Sequence, residues 1–293
     1  MRDNPKTIKD KDGHGLGGLN ALVLGATRGI GKDIAQTLAE SGANVIAPYF
    51  DWPEDCNATI KRFTTLPGRH LTIRTDLRDQ AQVKELCHRI SREYGHLDIL
   101  INNIERGGMP IVHGPYTPEQ WDLEMDTTLK AKWWVFQAAL PLLKKAEQGA
   151  VVNISSIAGL VGRAGPAGLI FNEAYAAANR AVSSFTETWA RQAAPTVRVN
   201  ELILGFIATR HAQGTRGWAL LSEDERQRIK DRTLLKRTGS RTEVTQAVIF
   251  LLRDATFMTG ASIRMDGGFC LGYDQVPPLP DGHGNLEVRI SKA

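Results

Sequence analysis

The sequence predicts an α/β fold in which one doubly wound parallel sheet carries helices on both of its faces. Short apolar runs, such as residues 21–24 and 97–101, are typical of strands buried on both sides. Stretches with helical spacing of apolar residues follow them, for example residues 32–40 and 80–94. This alternation continues through most of the 293 residues and indicates a single domain with a parallel sheet.

A glycine-rich turn follows the first of these strands and organises the rest of the chain. Residues 25–31 read Gly-Ala-Thr-Arg-Gly-Ile-Gly, and a helix is predicted directly after them. Glycines allow a backbone to approach a pyrophosphate closely, and the N-terminus of the helix attracts the negative charge. The spacing GxxxGxG differs from the common GxGxxG and, taken alone, is also compatible with an ordinary strand-to-helix turn. In its context it predicts a Rossmann-like dinucleotide site.

Composition narrows the class of protein. The chain has 42% hydrophobic residues, no apolar run long enough to span a membrane and no signal peptide pattern. Its three cysteines are scattered, which indicates neither a zinc site nor a disulfide framework. The net charge of +4 fits an anionic cofactor better than nucleic acid, because no nucleic-acid-binding pattern accompanies it. We therefore expect a cytoplasmic protein with no metal, no membrane partner and no nucleic-acid partner.

Further motifs follow the glycine turn in a fixed order. They are Asn102-Asn103, Ser155-Ser156 ahead of Tyr175, Arg198-Val199-Asn200 and Asp266-Gly267-Gly268. With the glycine turn they resemble the short-chain dehydrogenase/reductase family over residues 19–268, and most closely its 3-oxoacyl carrier-protein reductase branch. The expected organisation is a flexible leader at 1–18, a dinucleotide-binding domain at 19–268 with a substrate lid at about 208–238, and an extended tail at 269–293.

The resemblance implies an NAD(P)-dependent oxidoreductase that transfers hydride between nicotinamide and a carbonyl or secondary alcohol. Ser156 and Tyr175 match the family's catalytic serine and tyrosine. The family's lysine, four residues after the tyrosine, is replaced by Asn179, and the relay asparagine of the long helix aligns with Thr128. A cation beside the tyrosine would lower its pKa from about 10, and Asn179 carries no charge.

The same resemblance assigns cofactor-binding residues. They are Gly25, Thr27, Arg28, Gly29, Ile30, Gly31, Asp51, Asp76, Leu77, Asn103, Gly205, Ile207 and Thr209. The choice between NAD(H) and NADP(H) stays open. Asp51 lies at the usual distance for an acid that binds the ribose, alignment with the family selects Tyr49 instead, and Arg28 could attract a 2′-phosphate.

The turn after Asn103 departs from the family pattern. Ile104 and Glu105 stand where small residues usually pass beneath the cofactor, so either the cleft is reshaped or the turn is displaced. Two hypotheses follow. One is a small-molecule oxidoreductase with a modified active site, and the other is a dinucleotide-binding or scaffold protein with impaired catalysis. Family members are commonly tetramers, so we expect a homo-oligomer, a tetramer or a dimer.

Overall fold

The computed structural model describes residues 15–50, 53–105, 117–209, 218 and 221–274. Within them, seven parallel strands form one sheet in the order β3-β2-β1-β4-β5-β6-β7. The strands are β1 (Asn20–Val23), β2 (Asn44–Tyr49), β3 (Leu71–Arg74), β4 (Ile99–Asn102), β5 (Gly149–Ser156), β6 (Val197–Leu204) and β7 (Ser262–Met265). The helices are α1 (Gly29–Glu40), α2 (Pro53–Phe63), α3 (Gln80–Tyr94), α4 (Pro118–Glu124), α5 (Ala131–Leu143), α6 (Ala158–Val161), α7 (Glu173–Ala193), α8 (Glu223–Arg232) and α9 (Arg241–Arg253). The predicted fold class is confirmed.

The sheet is doubly wound about β1. From β1 the chain builds outward through β2 and β3, and β4 then pairs with the other side of β1. In sheets of this kind, ligands bind beyond the carboxyl ends of the strands where the order reverses. The glycine turn and Asn103 both follow strands that end at this edge.

Alternate residues of each central strand enter different cores, which explains the continuous apolar runs. Ala21 and Val23 of β1 pack with α1 and α9, whereas Leu22 packs on the opposite face with α3, α5 and α7. On that second face Trp189 stacks between Phe136 and Phe185, with ring centroids 4.2 and 4.9 Å away. Such a buried aromatic stack fixes α7 against α5.

The long helix predicted over residues 121–140 runs from Pro118 to Leu143 in three parts. Residues Met125–Lys130 form a π-helical turn between α4 and α5. Turns of this kind are rare and often occur at functional sites. Here the turn carries Thr128, with Glu124 before it and Lys132 after it, and all three side chains are buried.

Three local features complete the fold. The segment between Ser156 and Tyr175 contains α6 and a 3₁₀ helix, Gly165–Leu169. Leu16, within the leader predicted at 1–18, is buried in the core. Asp79 caps α3, since its side chain accepts hydrogen bonds from the backbone of Ala81 and Gln82.

Part of the predicted organisation lies outside the described residues. Residues 1–14, Asp51, most of the lid before α8 and residues 275–293 of the tail belong to this group. Of the helices that the structure describes, none combines the length and the apolar character required to cross a bilayer. The same part of the chain contains no cluster of His, Cys, Asp and Glu suited to a metal ion, and its cysteines are free thiols.

Candidate active site

A cleft of about 130 Å³ opens at the carboxyl ends of the central strands. Its walls combine residues from the glycine turn, from β4, β5 and β6, and from α7, which are far apart in the sequence. Seven predicted site residues line it: Ile30, Asn103, Ser156, Tyr175, Gly205, Ile207 and Thr209. The fold therefore brings these seven residues of the predicted site together at the point where the strand order reverses.

The glycine turn has the shape required for a dinucleotide phosphate. A Cβ atom on Gly31 would fall within 3.0 Å of the Gly25 carbonyl oxygen and of the Asn103 amide nitrogen. Gly29 has a φ of +55°, and among the described residues nothing lies within 4 Å of the position of its missing Cβ. The first N–H groups of α1 begin at this open position. The residues present thus fit the pyrophosphate of a dinucleotide.

Two further residues of the glycine turn, Thr27 and Arg28, contribute to its conformation. The Thr27 carbonyl accepts a hydrogen bond of 2.9 Å from the buried Thr59 hydroxyl. Arg28 occupies the N-cap of α1 in an extended conformation. These contacts hold the turn in place from outside the cleft.

The predicted adenosine end lies beside β2 and β3. Asp76 accepts two hydrogen bonds from the Arg78 guanidinium, at 2.9 and 2.8 Å, and a third of 2.9 Å from the Arg78 backbone, and Leu77 is buried. Arg74 and Arg78 lie over the ring of Phe50, with 4.8 and 5.4 Å between each guanidinium carbon and the ring centroid. Asp76 and Leu77 therefore lie apart from the cleft lining.

Tyr175 and Glu105 form the central contact of the cleft. The Tyr175 hydroxyl donates a hydrogen bond of 2.9 Å to a Glu105 carboxylate oxygen. Asn172 caps α7 by accepting a 2.8 Å hydrogen bond from the Tyr175 backbone and so fixes the first turn that carries the phenol. Ser156 also hydrogen-bonds the phenol, and its own oxygen accepts a 3.1 Å bond from the backbone of Ala158.

The electrostatics of this contact oppose phenolate formation. Burial, and then the negative charge of Glu105, raise the pKa of Tyr175 well above the ordinary 10.0 of a phenol. The residue four positions later is Asn179, whose amide donates a 2.9 Å hydrogen bond to the Tyr175 carbonyl within the helix. Tyr175 is therefore a protonated phenol at neutral pH. Two alternatives were predicted for the Ile104-Glu105 turn, a reshaped cleft or a displaced turn. The structure shows a reshaped cleft.

Thr128 lies beneath the cleft rather than in it. Its hydroxyl donates a hydrogen bond to the buried carboxylate of Glu124, one helical turn earlier. Thr128 and Asn179 are thus packed behind Ser156 and Tyr175 and do not line the cleft.

A layer of buried ionisable groups underlies the cleft, and sequence reasoning missed it. Lys132 is 1% exposed, and its ammonium donates a 2.8 Å hydrogen bond to the carbonyl of Ile154, a residue of the cleft wall. Glu201, on β6, is fully buried and accepts hydrogen bonds from Ser155, Ser183 and Ser262. The available signal was spacing, because Glu124, Thr128 and Lys132 follow one another at intervals of four residues.

Aromatic rings form the opposite wall of the cleft. Phe171 stacks on Phe206 with 5.3 Å between centroids, and Phe206 meets Phe269 edge-on at 5.0 Å. The rings of Phe171 and Tyr175 lie 5.8 Å apart. An apolar group of a ligand would therefore lie next to the phenol.

Comparison with known proteins gives consistent results. The sequence model of the family described as "Enoyl-(Acyl carrier protein) reductase" matches residues 25–270. The chain is 32% identical over 260 residues to the 3-oxoacyl-[acyl-carrier-protein] reductase FabG of Thermotoga maritima, a match that covers 87% of this chain and 99% of that protein. It is 31% identical over 253 residues to FabG of Staphylococcus aureus, covering 85% and 97% of the two chains. A solved structure from Burkholderia xenovorans, described as a short-chain dehydrogenase/reductase, has a TM-score of 0.75 at 29% identity and covers 88% of this chain and 99% of its own.

Proposed function

The chain belongs to the short-chain dehydrogenase/reductase family and is an NAD(P)-dependent oxidoreductase, and on that premise we propose that its cleft oxidises a secondary alcohol to a ketone. The observation that carries this direction is the hydrogen bond from the Tyr175 hydroxyl to Glu105. A phenol has one proton, and here that proton points to the carboxylate. Its oxygen is then free to accept a proton from a substrate hydroxyl, whereas donation to a substrate carbonyl requires the Tyr175–Glu105 pair to carry a second proton.

Some residues of the cleft would bind the cofactor, and others would contact the substrate oxygen. The glycine turn at 25–31 and Asn103 would hold the dinucleotide, together with Gly205, Ile207 and Thr209, which line the same cleft. Bound NAD(P)⁺ supplies the acceptor for the hydride. Ser156 and Tyr175 hold the substrate hydroxyl, and Glu105 holds the phenolic proton.

The proton balance of the oxidation follows from these contacts. The C–H bond of the alcohol breaks, and its electron pair leaves with the hydride as the C=O bond forms. The hydroxyl proton moves to the Tyr175 oxygen while the original phenolic proton moves to the Glu105 carboxylate and then to solvent. Glu105 is exposed, so it can exchange this proton with water. The reverse sequence is carbonyl reduction, the reaction that the names of the FabG relatives indicate for those proteins.

The aromatic wall defines the class of substrate. Phe171 and Phe206 favour an apolar or acyl substituent beside the reacting carbon. Because the relatives are named 3-oxoacyl reductases, a 3-hydroxyacyl thioester is the first substrate to test. Simple secondary alcohols with aromatic substituents are the second.

The test measures both directions with purified protein. Oxidation of 3-hydroxybutyryl-CoA and of aromatic secondary alcohols is followed with NAD⁺ and with NADP⁺, and reduction of the matching ketones with NADH and NADPH. We expect Tyr175→Phe and Glu105→Gln each to lower kcat/KM for oxidation by at least about 100-fold. Tyr273→Phe and Glu147→Gln are the matched controls at exposed positions and should keep wild-type rates.

Two outcomes would contradict the proposal. Full activity of Tyr175→Phe would remove the phenol from the reaction. Oxidation unaffected by Glu105→Gln, with the variant still folded, would show that the carboxylate does not accept the phenolic proton.

We also propose a cytoplasmic homotetramer. The support is an exposed apolar strip on the long helix, where Trp121 and Trp133 are 41% and 43% exposed, together with the edge strand β7. Light scattering after gel filtration tests the assembly. A monomer at micromolar concentration would contradict it.

A further inference from the structure

Arg232, the last residue of α8, has a guanidinium that forms no hydrogen bond and no ion pair with any described residue. The side chain is half-buried, and its Nε atom is buried without a hydrogen-bond partner. By contrast, Arg226 of the same helix donates a 2.8 Å hydrogen bond to the Trp218 carbonyl. A guanidinium is always charged, and buried polar groups without a partner are rare in folded proteins. The N–H groups of Arg232 therefore require an acceptor that the described residues do not supply.

Aromatic rings and glycines surround this guanidinium. Its carbon lies 5.1 Å from the centroid of the buried Phe269 ring. It lies 5.6 Å from the centroid of Tyr273, a ring that the control variant Tyr273→Phe retains. A Cβ atom on Gly165 would lie 3.1 Å from Nη1, and one on Gly272 would lie 3.9 Å from Nη2. The two glycines therefore leave space beside both terminal nitrogens, while the rings hold the guanidinium in place.

This position is the outer end of the aromatic wall of the cleft. Phe206 lines the cleft, and its ring meets Phe269 edge-on at 5.0 Å, with Arg232 over the Phe269 ring. Gly165 begins the 3₁₀ helix that leads to Phe171, the ring that stacks on Phe206. Arg232 is thus separated from the cleft lining by two contacts, of 5.0 and 5.1 Å. A long substituent on a ligand in the cleft would reach it.

The chemistry of a guanidinium selects an oxyanion as the missing acceptor. Its planar group presents paired N–H donors that match two oxygens of a carboxylate or a phosphate. Water or a carbonyl oxygen would accept hydrogen bonds from Arg232 without offsetting its charge. Among the residues that the structure describes, no carboxylate pairs with it, so an anionic ligand would satisfy both the hydrogen bonds and the charge.

We propose, on the basis of the oxidoreductase function above, that Arg232 binds a carboxylate or phosphate group at the far end of the substrate. The reacting alcohol lies at Ser156 and Tyr175, and the aromatic wall holds the intervening chain. In a 3-hydroxyacyl thioester, a phosphate would come from the carrier that bears the acyl group, and a carboxylate from the end of the acyl chain. A purely structural Arg232 would instead cover the Phe269 ring and bind no anion.

The binding test needs neither cofactor nor turnover. Urea unfolding of wild type and Arg232→Met is compared in sodium phosphate, in sodium glutarate and in sodium chloride of equal ionic strength. An anion that binds only the folded protein stabilises it, and at twice its dissociation constant it lowers the unfolding constant about threefold. We expect one of the two anions to lower the unfolding constant of wild type at least about threefold more than that of Arg232→Met.

Two further variants control this measurement. Phosphate that binds at the glycine turn stabilises both proteins, so its contribution cancels in the difference. Arg228→Met removes an exposed arginine of the same helix and should respond to both anions like wild type. If Arg232→Met does not fold, Arg232→Lys takes its place, because it keeps the charge and loses the paired N–H geometry.

Substrate pairs identify the oxyanion. One pair is 3-hydroxybutyryl-CoA and the N-acetylcysteamine thioester of the same acid, which lacks the phosphates. The other pair is the N-acetylcysteamine thioesters of 3-hydroxydodecanedioic acid and 3-hydroxydodecanoic acid, which differ by the terminal carboxylate. We expect wild type to prefer the anionic member of one pair in kcat/KM for oxidation. This preference should fall at least about tenfold in Arg232→Met, the loss expected for one charge-assisted hydrogen bond, and persist in Arg228→Met.

The outcomes decide the proposal in each case. A lost preference in the coenzyme A pair identifies a phosphate ligand, and a lost preference in the diacid pair identifies a carboxylate. Equal anion stabilisation of wild type and Arg232→Met would overturn the proposal. Stronger stabilisation of wild type with both preferences unchanged would overturn the assignment to the substrate. If wild type oxidises no alcohol, the proposed function fails, while the unfolding measurements still decide whether Arg232 binds an oxyanion.

Discussion

The buried charge of Lys132 should make the stability of this protein depend on pH in a characteristic way. The pKa of Lys132 is about 8 in the folded protein and 10.5 as the ordinary value for an unfolded chain. Between these values the unfolded state binds a proton that the folded state has lost, so stability rises with pH through this window. A shift of 2.5 units, from 10.5 to about 8, corresponds to about 3 kcal/mol at 1.36 kcal/mol per unit.

The measurement compares wild type with Lys132→Met by urea unfolding at about pH 7 and about pH 10. Relative to the variant, wild type should gain roughly 2.5 kcal/mol of unfolding free energy between these two conditions, because most of the window lies between them. Cys87 and Cys270 also contribute there, since burial raises the pKa of each to about 12 in the folded protein, while the ordinary value of 9.0 lies within this window. Both cysteines are present in wild type and variant, so their contribution cancels in the difference.

The control is Lys130→Met, which removes an exposed lysine two residues earlier in the chain. The reasoning would be refuted by a Lys132→Met difference that is flat between the two conditions. It would equally be refuted by a wild type that loses stability relative to this variant as pH rises, since that sign requires a raised lysine pKa.

Three further predictions concern the cleft and the core. Gly31→Ala should abolish NAD(P)H binding in a fluorescence titration, because its Cβ would collide with the turn. Gly17→Ala is the control and should bind NAD(P)H normally, because no described atom lies within 4 Å of the position of its Cβ. Equal binding by both variants would exclude the turn as the phosphate site. Ser156→Ala should lower kcat by about 100-fold with little change in KM, since its hydroxyl stabilises developing negative charge; a loss confined to KM would contradict that role. Trp189→Ala should cost about 3–5 kcal/mol in urea unfolding through the lost aromatic stack, and a cost below about 1 kcal/mol would mean that the site repacks.

The sequence predicted the structure correctly where local patterns determine it. The predicted helix at residues 80–94 coincides with α3, because apolar spacing and the Gly95 stop act over a single turn. The cleft could also be located, since the ends of parallel strands meet at one edge whatever the side chains are. Ser156 and Tyr175 follow from this, and both line the cleft.

The partners of these residues could not be predicted in the same way. Tyr175 and Glu105 are 70 residues apart, and their contact depends on the path of a turn that family comparison left open. Thr128 bonds to Glu124 within the stretch where α4 passes into a π-helical turn. Side-chain direction in such a turn is set by tertiary packing, which the periodicity of the sequence does not contain.

The buried layer is best understood as one balanced set of charges. Glu201 is held by three serine hydroxyls, one of which, on Ser155, belongs to the cleft wall, so this carboxylate connects the layer to the substrate site. Removing one member leaves an uncompensated buried charge, which typically costs more than the whole set contributes. Loss of Glu201 alone should therefore disturb Ser155 and Lys132 together. For the same reason a single substitution of Lys132, Glu124 or Glu201 overstates the importance of that residue, and only paired substitutions can separate catalysis from charge balance.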